Sequence, residues 1–574
     1  RPTSPSTGEW RYNTDEKSVE YWDGSNWRQI ETESNISTAN KNFNVNTYFG
    51  NSSTHTIDAK FNEAATFDGS SSLITLPDSS VISQQNNFTL SFWVKPNGFV
   101  AYGTVLTLFS DYRNYVDIRT SGILTFNASG SSVDTPSSSI TDGVWQHIAI
   151  TKSSTAGTVI YVNGISVVTD ASDTANASDF IGNGYPNTVG AYQLTGSASD
   201  FFPGSIDQVR IFNTALTSGE AADLYTDETT TTAATLDFPA GAGCVAAYQL
   251  DGNANDISTN YNGTTTYIGY TGLLFQPDFV WIKRRDGTEN NYLQDSVRGS
   301  TQQIYSNLTD GQFNETTAVT SFDSNGFTMG SYNGINNSAE DYAAWCWNAG
   351  GSNATNNEGT QTSTVRANQD AGFSVCTFTS GSGSSKTAGH GLLEAPKMSI
   401  FKRTDSSESW WVFTTAVDGS YDYLILNDTA VKADASEAPP TPTVITQPTT
   451  ASGRQYVVYN FHDVDSYQKV GSYTGNRPST VTVYTTDDDT STGANGFKPS
   501  FLMIKDATTA AGENWIIVDN KREGASAPTK VLYPNTNAIE DPYSVITFTS
   551  NGFTVGDTGL ANTNGATLIY LAIA

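Results

Sequence analysis

Short runs of alternating apolar and polar residues, each stopped by Gly, Pro, Asn or Asp, follow one another along nearly the whole chain. That period of two predicts β-strands, and only Thr217 to Tyr225 carries a helical pattern. Phe88-Thr89-Leu90-Ser91-Phe92-Trp93-Val94-Lys95 alternates until Pro96 ends it, and Gly143 to Ile150 alternates again, which places Trp93 and Trp145 in a core. Ile160 to Val167 contains Asn163-Gly164, the pair favoured in two-residue hairpins. One strand is written three times, as Pro277-Asp278-Phe279-Val280-Trp281-Ile282-Lys283, Pro396-Lys397-Met398-Ser399-Ile400-Phe401-Lys402 and Pro499-Ser500-Phe501-Leu502-Met503-Ile504-Lys505. Each copy opens on Pro, which suits the first position of a strand. Each carries large apolar side chains at its third and fifth places, on one face, and ends on a Lys expected to cap an edge or reach solvent.

The surroundings of that strand recur at a period of roughly one hundred residues, the size of a small β domain. A Tyr-Thr-Gly turn precedes it at Tyr270-Thr271-Gly272 and Tyr473-Thr474-Gly475, with Phe378-Thr379-Ser380-Gly381 as the degenerate middle copy. Trp410-Trp411 and Trp515 follow it in the second and third copies, and acidic turns come next at Asp295 to Gly299, Asp418-Gly419 and Asp519 to Gly524. The hairpins Phe322 to Gly330 and Phe548 to Gly556 match, and closing strands run over Tyr342 to Trp347, Tyr456 to Phe461 and Thr567 to Ala574. Serial β domains point to a stalk or surface array before an enzyme.

Composition narrows the function. With 574 residues several domains are expected, and 12% aromatic residues supply their cores. A net charge of −29 repels phosphate backbones and argues against nucleic-acid binding. Cys244, Cys346 and Cys376 are far apart and fit neither a metal site nor a disulfide framework, so they read as small buried hydrophobes. No apolar run approaches a membrane span and no signal peptide is visible. The chain begins at Arg1 rather than Met, so a segment removed or lying upstream is expected.

Two stretches resemble known families. Gly8-Glu9-Trp10-Arg11-Tyr12-Asn13-Thr14-Asp15 with Glu20-Tyr21-Trp22-Asp23-Gly24-Ser25-Asn26-Trp27 resembles a short element near the N-terminus of tailed-phage virion proteins. The series Phe67 to Leu76, Phe88 to Lys95, Gly143 to Ile150, Ile160 to Val167 and Gly204 to Phe212 resembles, in order, the laminin-G-like domain, a concanavalin A-like jelly roll; residues 35 to 60 are its least typical part. Val245 to Asp256 resembles the opening strand of such a domain, and the repeats are similar to those of marine, cyanobacterial phage structural proteins. The expectation is an all-β multidomain chain: a particle-attachment meander at 1–30, a laminin-G-like jelly roll at 31–227, a linker and leading strand at 228–265, and three sandwich-like units at 266–365, 366–465 and 466–574.

Candidate chemistry is sparse. There is no Gly-Lys dipeptide, hence no Walker loop, and no His-Glu pair of the zincin type. His147, His390 and His462 read as structural, and the Glu-x-Asp-x-x-Glu run of jelly-roll glucanases is absent. Catalytic, cofactor and resident metal residues are therefore expected to be none. Calcium is carried only as a low-weight option at Asp251, Asn253 and Asn255, or at Asp68 and Asp207 as the laminin-G resemblance implies; a capped turn is the competing reading. Asp487-Asp488-Asp489 reads as a solvated loop. Tyr102, Tyr112 and Tyr115 in one connection, and Tyr185 and Tyr192 in another, could stack on sugar rings or pack their own loops.

The resemblances imply a non-catalytic phage virion protein, a tail fibre, spike or decoration that attaches to a host surface. Its expected partners are copies of itself, most commonly as a trimer, other virion proteins and host glycan, with neither nucleic acid nor membrane insertion. A secreted bacterial adhesin or carbohydrate-binding protein is the rival, and a glycan-degrading enzyme the third reading.

Overall fold

The computed structural model describes strands at 10–13, 18–22 and 27–29 and then residues 41–574, apart from 78–86, 109–113, 129, 174–186, 195–196, 227–237, 240, 339, 384, 487–495, 510–511, 523–529 and 543–544. The chain is all-β and multidomain. Strands Trp10–Asn13, Ser18–Trp22 and Trp27–Gln29 form the expected three-stranded antiparallel meander.

The jelly roll is a pair of sheets. One orders strands 131–134, 123–128, 115–119, 103–107, 187–189, 73–76 and 264–266; the other orders 165–170, 157–162, 146–153, 88–96, 203–212, 64–68 and 269–271. Between them lies an apolar core that includes Phe67, Leu90, Phe92, Val116, Ile118, Phe126, Ile148 and Ile206. Residues 244–271 thus belong to this domain. Cys244–Tyr248, expected to lead into the first repeat, pairs antiparallel with Pro203–Phe212, and Thr264–Thr266 and Gly269–Thr271 each close an edge.

The first repeat begins before the jelly roll. Phe43–Phe49 pairs with the closing strand Asp341–Trp347, Phe43 opposite Trp347, and His55–Ile57 pairs with Gly326–Met329. Phe373 opposite Phe461 and Gln468 opposite Ile573 repeat that register in the second and third units. The true counterpart of Tyr473-Thr474-Gly475 is therefore Tyr48-Phe49-Gly50, and Tyr270-Thr271 lies instead on the jelly-roll strand beside Ala64–Asp68. The jelly roll is an insertion between residues 57 and 273 of unit one, which corrects the boundaries expected at 31, 228 and 266. Side chains fasten the junction: Asn44 Nδ2 donates to Gly272 O (2.9 Å), Asn46 Oδ1 accepts from Gly272 N (2.7 Å), and Thr47 Oγ1 accepts from Tyr270 N (3.1 Å). Lys95 pairs with Asp58 at 2.6 Å beside them.

The three units close around one core. Phe279, Trp281, Met398, Ile400, Phe501 and Met503, the third and fifth places of the repeated strand, all point into it with Trp345, Trp347, Tyr459 and Leu571. The alternate side chains of the same strands, Val280 and Ile282, Phe401, and Leu502 and Ile504, face outward onto separate small cores under each unit's minor sheet or loops. Every repeated strand is thus buried on both faces. Its terminal Lys is buried too, contrary to the expectation of an edge or solvent position: Lys283, Lys402 and Lys505 donate to backbone carbonyls, among them Thr309 O (2.7 Å) for Lys402 and Glu513 O (2.7 Å) for Lys505. Burial lowers all three to about 8.

A cyclic set of hydrogen bonds locks the units. Trp410 Nε1 reaches from unit two to Tyr305 O (2.8 Å) in unit one, Trp515 Nε1 from unit three to Ile425 O (2.9 Å) in unit two, and Asn291 Nδ2 from unit one to Thr536 O (2.9 Å) in unit three. These three residues occupy one repeat position, and the N–H of each is accepted by an Asn at the end of the next strand, Asn427, Asn535 and Asn307 respectively. Trp345 Nε1 donates to Asp519 (3.0 Å) and Tyr459 Oη to Asp295 (2.9 Å), each carboxylate also held by an arginine three residues on.

Candidate ligand-binding site

Alternation along Tyr115–Arg119 sends Val116 and Ile118 into the jelly-roll core and turns Tyr115, Asp117 and Arg119 to the opposite face of the seven-stranded sheet. On that face the Tyr102 ring, 54% exposed, lies 5.2 Å from the Arg119 guanidinium carbon. Arg119 is 3.5 Å from Asp117, and Tyr115 meets Tyr192 edge-on at 5.9 Å. Asp117 accepts from Thr104 Oγ1 at 2.8 Å; burial pushes its carboxyl up to about 6 against the pull of Thr104 and Arg119. Burial likewise raises the Tyr115 hydroxyl. The result is an aromatic and guanidinium surface backed by a buried carboxyl, on which the Asp200 carboxylate also acts.

Of the five candidate tyrosines, the structure gathers Tyr102, Tyr115 and Tyr192; Tyr112 and Tyr185 lie outside the described residues, as do Asp487 to Asp489. Arg119 and Asp117 escaped the sequence reading, although their polar places in a period-two run were the available signal. Trp93 is buried, but on the outer face of the other sheet, under Lys60 Nζ (4.0 Å) and beside His147 (5.2 Å). Trp145, expected in the core, is only half-buried, and its Nε1 donates to Asp58 at 3.3 Å. His147 Nε2 shares a hydrogen bond with Ser91 Oγ (2.9 Å), His390 Nε2 one with Thr441 O (3.0 Å), and His462 Nδ1 one with Asp463 O (2.6 Å).

Several of the oxygens named for calcium are engaged within the chain, while Asp207 Oδ1 is buried without a hydrogen-bond partner. Asp68 accepts from the backbone of Ser70, Ser71 and Ser72 in a capped turn, and Asn253 Oδ1 accepts from Asn255 N. Asp251 accepts from Glu63 N and Asn62; burial raises it to about 6. Asp207 is buried, with Oδ2 on Phe61 N, and is pushed up by burial and by Asp251. Among the described residues no group of three or more His, Cys, Asp or Glu is arranged to hold a metal ion. Among them, too, no helix is long and apolar enough to cross a membrane.

Residues 68–222 match the concanavalin A-like lectin/glucanase superfamily, and residues 253–574 match the domain of unknown function DUF7483. No curated protein matches the chain. Among solved structures, a candidate carbohydrate-binding protein from Bacteroides ovatus is 19% identical with a TM-score of 0.29, covering 37% of this chain, which spans 60% of that one. Domain 4 of AbnA, a GH43 extracellular arabinanase from Geobacillus stearothermophilus, in complex with arabinotriose, is 23% identical over 32% of this chain and 87% of that one, with a TM-score of 0.24. The binding domain of Paraclostridial Mosquitocidal Protein 1 is 10% identical over 78% of this chain and 90% of that one, with a TM-score of 0.26. With more than half of its length matched, the chain belongs to the DUF7483 family, and a concanavalin A-like domain is set into its first repeat.

Proposed function

We propose that this protein is a non-catalytic structural component of a tailed-phage virion, a fibre, spike or surface decoration, that holds glycan of the host surface on its inserted jelly roll. The observation that carries the reading is the cluster of Tyr102, Arg119, Tyr115 and Tyr192 on the outer side of the seven-stranded sheet, with Tyr102 exposed and the others half-buried: the Tyr102 ring offers stacking surface, and the guanidinium offers hydrogen-bond donors beside it. The junction at Asn44, Asn46 and Asp58 holds that face in one orientation on a broad base, which suits repeated display. Copies of the chain on one particle add avidity to weak single sites. The N-terminal meander supports the particle side of the reading by its sequence resemblance, and the acidic net charge suits a soluble particle surface.

Two measurements test it. Antibody to this chain should label purified virions in electron micrographs; label on cells and never on particles overturns the virion role. Binding of the purified chain to host-cell surface polysaccharide should fall at least about tenfold in Tyr102→Ala with the fold intact. Unchanged binding removes the assigned face.

A further inference from the structure

A second opening lies where the jelly roll meets units one and three. It encloses about 980 Å³, the upper end of the range for small-ligand sites. Tyr267 stands at its wall, 73% exposed, in the corner between Thr264–Thr266 and Gly269–Thr271, and Ile539 of unit three faces the same space, 51% exposed. The corner is held open by a backbone φ of +50° at Tyr267 and by Ser72 Oγ, which donates to Tyr267 O at 2.6 Å. Two buried polar atoms on the lining have no partner: Tyr270 Oη, on a residue only 8% exposed, and Asn520 Oδ1. An orphaned buried donor or acceptor is costly to leave unmade, and both belong to side chains that border this opening.

The charges around it are already matched. Arg285 pairs with Asp341 (2.7 Å) and Glu540 (3.0 Å), Arg522 with Glu540 (2.7 Å), and Lys521 of unit three with Glu63 of the jelly roll (2.6 Å). Asp286 is held by Arg284 (2.8 Å), Lys530 lies 3.5 Å from Glu540, and Asp68 and Asp251 are capped by the turns described above. An ionic ligand would have to displace one of these partners, whereas a neutral molecule rich in hydroxyls would supply Tyr270 and Asn520 with the partners they lack and lay a ring against Tyr267.

We infer that this cleft is a second binding site, separate from the Tyr102 face, for a neutral oligosaccharide. The site is composite: Tyr267 and Tyr270 come from the inserted domain, Asn520 and Ile539 from unit three. It exists only because the insertion is seated on the repeats, and its occupant bridges the two domains. The Tyr102 face and the cleft share no lining residue, so each can fail without the other.

The test is isothermal titration of the full chain with a panel of neutral tetra- to hexasaccharides of glucose, mannose and galactose. Tyr102→Ala, which silences the first face, should still bind a member of the panel. Adding Tyr267→Ala should weaken that remaining binding by at least about tenfold, and adding Tyr270→Phe instead by between about twofold and tenfold. Tyr270→Phe should leave thermal stability unchanged or higher, because it removes a buried hydroxyl with no partner. The inference is overturned if Tyr102→Ala binds nothing in the panel, or if its binding is indifferent to both added changes. If all binding survives in Tyr102→Ala and vanishes with Tyr267→Ala, the cleft stands and the glycan role assigned to the Tyr102 face falls.

Discussion

The large sheets of the three repeats and the seven-stranded sheet of the insertion are built from the same alternating strands, yet they are covered differently. In the repeats both faces are apolar: Trp281 turns to the shared core while Val280 and Ile282 turn to a second one. In the insertion one face is apolar and the other carries Tyr115, Asp117 and Arg119. The first arrangement spends every side chain on cohesion. The second turns polar and aromatic side chains away from the core, most of them buried or half-buried, with Tyr102 and part of Arg119 reaching solvent.

The sharpest way to break that contrast is at a shared-core tryptophan. Trp410 is fully buried and its indole bridges units one and two, so Trp410→Ala removes packing and leaves two carbonyls without their donor. A loss of about 3–5 kcal/mol is expected in the repeat domain. Tyr102→Ala on the open face should stay within about 0.5 kcal/mol of the parent. Scanning calorimetry that shows equal losses for the two would erase the distinction. Next in size is the buried Asp519–Arg522 pair, which also receives Trp345. Asp519→Ala removes one of two carboxylates on the buried Arg522 guanidinium, Glu540 keeping the other at 2.7 Å, and takes the acceptor from Trp345 Nε1, so it should cost about 1.5–3 kcal/mol. The same repeat position in unit two is the uncharged Thr414, whose hydroxyl donates to Lys397 O and accepts from Ala416 N, and Thr414→Ala should cost only about 1 kcal/mol.

Much of this was legible in the sequence because a period of two is a local property. The strand written three times, its inward third and fifth places and the Asn-Gly hairpins needed only neighbouring residues to be recognised. The insertion was not legible, because pairing Phe43 with Trp347 joins residues some three hundred apart, and no local pattern announces such a partner. Phe43-Asn44-Val45-Asn46-Thr47-Tyr48-Phe49-Gly50 does resemble Gln468 to Gly475 once the register is known, and residues 35 to 60 fitted the jelly roll poorly for that reason. The buried lysines were misread because their acceptors are backbone carbonyls, which no side-chain pattern displays. On the candidate face the tyrosines were visible by type, while Arg119 and Asp117 acquire meaning only from the sheet that sets them beside Tyr102.

An effect smaller than that of the Trp410 substitution is expected from pH. Asp117 sits under the open face with a carboxyl raised to about 6, chiefly by burial, with Thr104 and Arg119 pulling it down and Asp200 adding to the rise. A carboxyl raised on folding binds its proton more tightly in the folded state. Its contribution is therefore complete below about 4 and is lost as pH climbs through about 6. The insertion should lose on the order of 2 kcal/mol across that window. Asp251 and Asp207 share the direction, so the parent shows their combined slope, and Asp117→Asn should remove its own portion while keeping an oxygen for Thr104 Oγ1. In the repeats, Glu540 is lowered to about 2 by Arg522 and Arg285 in spite of burial, so the sign reverses there and stability falls as pH drops toward 2. Asp341 of unit one is also raised to about 6, chiefly by burial, so the repeats share the insertion's slope between pH 4 and 7. Calorimetric scans over that range should show the insertion's transition moving less in Asp117→Asn than in the parent while the slope of the repeats stays the same, and an unchanged insertion slope in the variant would remove Asp117 from the account.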